Sequence, residues 1–273
     1  MKDAASTISE TLAGLADQDH PTEFEVLVVD NGSTDSSVDV VHAFQATLPG
    51  LRLIRAPDKA GAAYARNVGA AHAKGEILAF CDADDIPQRG WLRSLVQATS
   101  STEAAGGRLV AFQDADSNRV GVQSQGLPGL MGYLPWSSTA NLAVPRVVFI
   151  ETDGFDESLP VCEDVDFSWR LQQAGYALHF CPDAVVRYRS RSSDLANARR
   201  CFAYALGDVL VYGRHASYGA RRRSLAGAAW SWLKLIIFFP KVLSKSSRPK
   251  YLNSAARNLG WLIGSIKYRT FYP

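Results

Sequence analysis

The sequence predicts an α/β layered domain on a mostly parallel sheet, followed by a basic helical extension. Three observations predict it. Short apolar runs, each closed by a polar turn, alternate with stretches whose apolar residues recur at helical spacing, the pattern of strands joined by helices. The 273 residues are 47% hydrophobic and 21% charged, a composition that buries a sizeable core and excludes a disordered chain. Charge is divided along the chain. Of 29 Lys and Arg and 27 Asp and Glu, 17 and two lie from Arg187 onward, leaving 12 and 25 before it. The two parts therefore carry about −13 and about +15.

Taken in order, Thr7-Ile8-Ser9-Glu10 has the spacing of a capping box, and Ile8, Leu12 and Leu15 continue it as one helical stripe. "FEVLVV", residues 24–29, is a continuous apolar run expected of a strand covered on both faces. After the polar turn 30–35, Val38, Val41, Phe44 and Leu48 share a helix face. A strand at 51–54, a helix over 62–73 stopped by Gly75, and a strand at 76–81 follow. Pro87 is placed to open a helix whose inner face is Trp91, Leu92, Leu95 and Val96. Glu163 to Ala174 reads as a further helix, with Phe167, Leu171 and Ala174 inward and Gly175 as its stop.

Acids gather where these elements meet. Asp30 closes one apolar strand; Asp82, Asp84 and Asp85 close another, and Glu163, Asp164 and Asp166 open a helix. In open α/β sheets ligands bind beyond the carboxyl ends of strands, where loops lead into helix N-termini. One aspartate at such a place can cap a helix, and acids in a first turn complement its dipole. Three acids in four positions exceed what a cap needs, and crowding them costs stability unless a cation sits between them. Asp114-Ala115-Asp116 repeats the D-x-D tripeptide in a segment that reads as a hairpin turn, so the tripeptide alone is weak evidence.

These segments carry a resemblance. "VLVVDNGSTD", "GAAYARNVGA", "ILAFCDADDIP", "TANLAV", "DGFDES" and "EDVDFSWRLQQAGY" are similar, in order and spacing, to those of the family 2 glycosyltransferases, over roughly residues 1–190. The resemblance implies a GT-A fold, Rossmann-like with a mostly parallel central sheet flanked by helices, as a catalytic domain over 1–190. It implies an inverting, non-processive, hexosyltransferase-type enzyme that moves a sugar from a nucleotide-diphosphate sugar to an acceptor hydroxyl. By the same carry-over Asp84, with Asp82 and Asp85, holds a divalent cation, Mn2+ or Mg2+, against the leaving diphosphate. Asp164 is the matching base with Glu163 beside it, and Asp166 is structural. Asp30, Asn31, Arg66, Asn67, Asp82 and Asp84 are the matching donor-binding positions, with Arg66 able to reach diphosphate oxygens. Trp136 and Asn141 fall on the acceptor side.

Two departures bear on this. Family members often carry a histidine on a late strand; in "CPDAVVRYRSRSS" Arg187 or Tyr188 stands there, and arginine cannot ligate a metal. The interior strand that the family sets before the first helix is not found here, which implies a start assigned too late; intact mass of the native protein checks it. The competing class is a non-catalytic glycosyltransferase-like scaffold, discriminated by titrating nucleotide diphosphates with manganese. A nucleotidyltransferase would want a Gly- and Lys-rich phosphate loop, which the sequence does not contain.

Residues 191–273 are expected to form a basic amphipathic helical extension that associates with a membrane. "AGAAWSWLKLIIFFP", residues 226–240, is interrupted by Lys234 and ends in proline, short of the roughly 18 uninterrupted apolar residues of a spanning helix. Trp and Tyr beside Lys and Arg suit an anionic headgroup surface, and apolar stripes without a nucleic-acid motif argue against nucleic acid. Four scattered cysteines without a C-x-x-C pair fit a reducing cytoplasm. Together these imply a peripheral enzyme at the inner face of the cell membrane, in cell-envelope polysaccharide synthesis, with a glycan or lipid-linked acceptor.

Overall fold

A computed structural model of the chain describes residues 1–19, 23–112, 125–190 and 193–273. They form two compact units, one drawn from residues 1–128, 135–158 and 163–190, the other from 129–134, 159–162 and 191–273. The tripeptide Asp114-Ala115-Asp116 lies outside the described residues.

In the first unit α1 (Ile8–Ala16), β1 (Val26–Asp30), α2 (Ser37–Phe44), β2 (Leu51–Arg55), α3 (Ala62–His72) and β3 (Ile77–Phe80) follow one another as the apolar periodicity predicts. β1 and β2 pair in parallel, Val26 opposite Leu51 through Asp30 opposite Arg55. Ile8, Leu12, Val26, Val28, Val41 and Leu51 close a core between this ladder and its two helices. The capping box does not close. The Thr7 hydroxyl donates to the carbonyls of Ala4 and Ala83, and Glu10 pairs with Arg189, so distant partners replace the local ones.

The rest of the unit is β4 (Ile86–Pro87), α4 (Trp91–Ala98), β5 (Glu103–Phe112), β6 (Leu142–Pro145), α5 (Arg146–Glu151), α6 (Glu163–Gln173) and β7 (Ala177–Arg189). Five strands form a sheet in the order β3-β6-β5-β7-β4. β5 and β7 run parallel, whereas β3–β6, β5–β6 and β4–β7 are antiparallel. The α/β class is as expected, but this sheet is mixed rather than mostly parallel, and among the described residues the β1–β2 ladder is separate from it. An apolar run marks a strand covered on both faces, which is common in parallel sheets but does not fix the direction or identity of its neighbour. Pro87 also departs from expectation, sitting in β4, while α4 starts at Trp91 behind Gly90 at φ +85°. None of the acids at 82–85 caps that helix.

Phe80, Phe149, Phe155 and Phe167 pack with ring centroids 4.9–5.6 Å apart, locking β3, α5 and α6 together at the strand end where the acids emerge.

The second unit is helical: α7 (Asp194–His215), α8 (Leu225–Ile237) and α9 (Arg248–Lys267). α9 lies close against α7 because Gly260 faces it; a Cβ there would stand 2.6 Å from that of Ala205. No helix among the described residues is long and apolar enough to cross a membrane.

Candidate active site

β3 ends at Phe80 and the chain turns at once. The Asp85 N–H donates to the Asp82 carbonyl at 3.3 Å, tightening residues 82–85 so that one oxygen from each of Asp82, Asp84 and Asp85 lies within 4.8 Å of the others. Asp84 is exposed, Asp82 half-buried and Asp85 only 1% exposed. Asp85 Oδ1 accepts the Arg189 N–H at 2.9 Å, but its Oδ2 is buried without a partner. Burial pushes the Asp85 carboxyl up to about 8; the Arg189 N–H opposes this, and the charges of Asp82 and Asp84 add to it. A buried acid with an orphaned oxygen beside two further carboxylates is a hard-oxygen donor set that a divalent cation would complete.

The turn is braced from both sides. The Thr11 hydroxyl of α1 donates to the Asp85 carbonyl at 2.7 Å. Arg189, at the end of β7, gives Nε to the Asp84 carbonyl at 3.1 Å and Nη2 to Glu10 at 2.9 Å. Arg189 is not among the residues that the motifs single out. Its signal was alternation, which sets it on the same strand face as Arg187, and both guanidinium groups stack over Phe112, at 4.7 and 4.5 Å.

The second group of acids comes from α6. Arg66, on α3, donates Nη2 to Asp82 and Nη1 to Glu163, both at 2.6 Å, with its guanidinium 5.9 Å from the Phe155 ring centre. One cation thus ties two acidic segments that lie 81 positions apart, from 82 to 163. Asp164 is half-buried next to this bridge. Burial raises its carboxyl to about 7, with the Glu163 and Asp82 charges adding to the rise; the Val165 N–H and Arg66 oppose it. A carboxyl that titrates near neutrality suits proton removal from a hydroxyl. Asp166, as expected, is structural: it is 2% exposed and pairs with Arg170 at 2.7 Å.

Four other predicted residues are held by partners within the fold. Asp30 is 1% exposed, with Oδ2 on Arg55 at 2.9 Å and Oδ1 accepting the Ser33 N–H at 3.1 Å. Asn31 donates to the Ala56 and Lys59 carbonyls and accepts from Gly61, fixing the loop between β2 and α3. Asn67 donates to the Phe155 carbonyl and to Glu157 and accepts from the Phe155 N–H. Gly154, at φ +56°, makes room for it, because a Cβ there would meet Asn67 Oδ1 at 2.8 Å.

Asn141 is 1% exposed; it accepts from the Trp91 indole at 2.8 Å and donates to the Arg108 and Ala184 carbonyls at 3.0 and 2.9 Å. It fills the β5–β7 bulge beside Gly107, where any Cβ would collide with the amide. The amides of Asn31, Asn67 and Asn141 are thus each held by backbone and side-chain partners. Sequence position put polar residues near the site but could not tell which way each faced. Trp136 is half-buried.

The family model described as "Glycosyl transferase family 2" matches residues 1–155, and that described as "Glycosyl transferase family group 2" matches residues 82–263. Glycosyltransferase AglE of Haloferax volcanii is 28% identical over 265 residues, covering 94% of this chain and 83% of that protein. The pre-mycofactocin glycosyltransferase of Mycobacterium tuberculosis is 30% identical over 231 residues, 78% of this chain; the chain spans about half of that protein, 47%. Among solved structures, the mannosyltransferase PcManGT from Pyrobaculum calidifontis, in complex with GDP-Man and Mn2+, superimposes with a TM-score of 0.62 at 22% identity, covering 95% of this chain and 85% of that one.

Proposed function

The chain belongs to glycosyl transferase family 2 and is a glycosyltransferase; on that premise we propose that it transfers a sugar from a nucleotide-diphosphate donor to an acceptor hydroxyl with inversion. The observation that carries this is the Arg66 bridge between Asp82 and Glu163, which joins the acidic turn after β3 to the start of α6. A donor held at the turn would then present its anomeric carbon toward Asp164.

Asp82, Asp84 and Asp85 would hold a divalent cation, which when bound neutralises the charge that collects on the departing nucleotide diphosphate. The orphaned Asp85 Oδ2 supports this, as does the Mn2+ in the complex of the mannosyltransferase. Arg66, fixed by two carboxylates, orients Asp82 and lies beside the diphosphate. Asp164 takes the acceptor proton as the hydroxyl oxygen bonds to the anomeric carbon and the bond to the diphosphate breaks, its electron pair leaving with the nucleotide. The partly protonated character of Asp164 at neutral pH is the balance this needs: basic enough to accept a proton, acidic enough to be ionised. Trp136 is proposed for the acceptor side, where an indole face can stack on a sugar ring. The basic, apolar helical unit supports a lipid-linked or cell-surface glycan precursor as acceptor.

The test is Asp164→Asn, assayed for transfer and, separately, for donor binding by calorimetry. The base role predicts a loss of at least about 100-fold in kcat with donor affinity kept within about twofold. Unchanged turnover removes Asp164 from that role.

A further inference from the structure

We infer that the outward faces of α8, residues 238–243 and α9 are a docking surface for an anionic lipid bilayer, lying in its interface without crossing it. The inference rests on the helical unit alone, and its failure would leave the transferase assignment standing.

α8 is apolar nearly all round yet buries only Ala228. One side is tethered to α9: the Ser231 hydroxyl donates to Asn258 Oδ1 at 2.8 Å, and the Tyr251 hydroxyl to the Leu235 carbonyl at 3.1 Å. The remaining surface leaves Trp230, Leu233, Ile236, Ile237, Phe238 and Phe239 exposed, Ile236 by 74%, and Leu243 beyond them by 87%. α9 adds Leu259, Leu262, Ile263 and Ile266, all exposed and all on one helical stripe, while its Gly260 and Gly264 face α7. These eleven exposed large apolar side chains on two neighbouring helices and the segment between them exceed the scatter of single residues on a solvent-facing surface and point to a docking face.

Charge selects the occupant. From Val209 to the end the chain carries twelve Lys and Arg and no Asp or Glu. Lys234 and Lys241 stand over the Trp230 and Phe238 rings, at 5.4 and 4.1 Å, so cations border the apolar face rather than lying opposite it. A second copy would bring the same cations against themselves. Anionic headgroups above an apolar layer answer both features, with Trp at the boundary and lysine amines reaching up to phosphate. The 13 residues of α8, at a rise of about 1.5 Å each, fall short of about 30 Å of hydrocarbon, and α9, though longer, is not apolar enough to cross, so the pose is interfacial.

The experiment is sedimentation of the full chain with vesicles of phosphatidylcholine alone and of phosphatidylcholine doped with phosphatidylglycerol, at low and high salt. Binding to the doped vesicles is expected to exceed binding to the neutral ones by at least about tenfold, several cations each contributing about fivefold, and to weaken with salt. A triple variant, Ile236→Asp, Phe239→Asp and Leu243→Asp, is expected to lose at least about tenfold in vesicle binding while keeping its melting temperature and donor affinity. Should the variant unfold, Lys234→Gln with Lys241→Gln makes the same case through a loss confined to the doped vesicles. Equal binding to both vesicle types, variants that bind like the parent, or a parent that ignores vesicles but forms a dimer that the triple variant dissociates, would each overturn the inference.

Discussion

Replacing Arg66 with methionine is the sharpest probe of the site, since it keeps the length and the packing over Phe155 but removes the cation shared by Asp82 and Glu163. A hydrogen bond to a charged group contributes about 1.5–3 kcal/mol, and leaving its partner unpaired costs more when that partner is buried. Glu163 is 13% exposed and Asp82 34%, so the first bond counts nearly in full and the second is reduced by solvent screening; together they amount to about 3 kcal/mol.

At about 2–4 °C per kcal/mol, Arg66→Met should melt roughly 10 °C below the parent. A second consequence is chemical. The Arg66 charge favours the ionised form of Asp164, so its removal raises that carboxyl from its value of about 7. Only the ionised form accepts a proton, so activity rises with pH through this pKa, and the variant's acidic limb must lie at higher pH than the parent's. The assay is kcat/KM for sugar transfer across pH 5–9, a span of about two pH units on each side of 7, with scanning calorimetry alongside. An acidic limb that does not move, with a melting point that does not fall, would refute both the bridge and its coupling to Asp164. Arg66→Lys separates the contributions, since it keeps the charge but reaches only one carboxylate.

Two further outcomes follow from the same geometry. Asp85 is protonated in the metal-free fold up to about 8 but ionises near 3.8 when unfolded, so the fold binds the extra proton and loses stability as pH rises across that window. In chelator, Asp85→Asn should therefore be at least about 1 kcal/mol more stable than the parent at pH 8 and close to it at pH 4, by urea titration, while losing any stabilisation by Mn2+. Asn141→Leu strips partners from the Trp91 indole and from two strand carbonyls and should cost about 3–5 kcal/mol in the same titration, with donor affinity in the surviving fold unchanged. A variant with parental stability but weakened acceptor KM would assign Asn141 to the acceptor side instead.

Much of the site was legible because its chemistry is local. Three aspartates within four residues at a strand end, and Glu163 with Asp164 opening a helix, are features of sequence position, and both lie where the sequence implies. The part played by Asn31, Asn67 and Asn141 is less legible, for one reason. An amide near a site serves equally as ligand contact or as internal clamp, and only the direction of its side chain separates the two. The role of Arg189 is invisible in the sequence because it holds the Asp84 backbone, and a carbonyl leaves no mark there.

The sequence by itself determined the order of helices and strands, the clustering of acids at their junctions and the concentration of cations after Arg187, because periodicity and composition act within a few residues of themselves. The tertiary structure alone decided that the five-stranded sheet is mixed, that α4 begins at Trp91 without an acidic cap, and that one guanidinium joins Asp82 to Glu163. Those depend on which distant segments meet, and the burial that raises Asp164 to about 7 exists only once they have met.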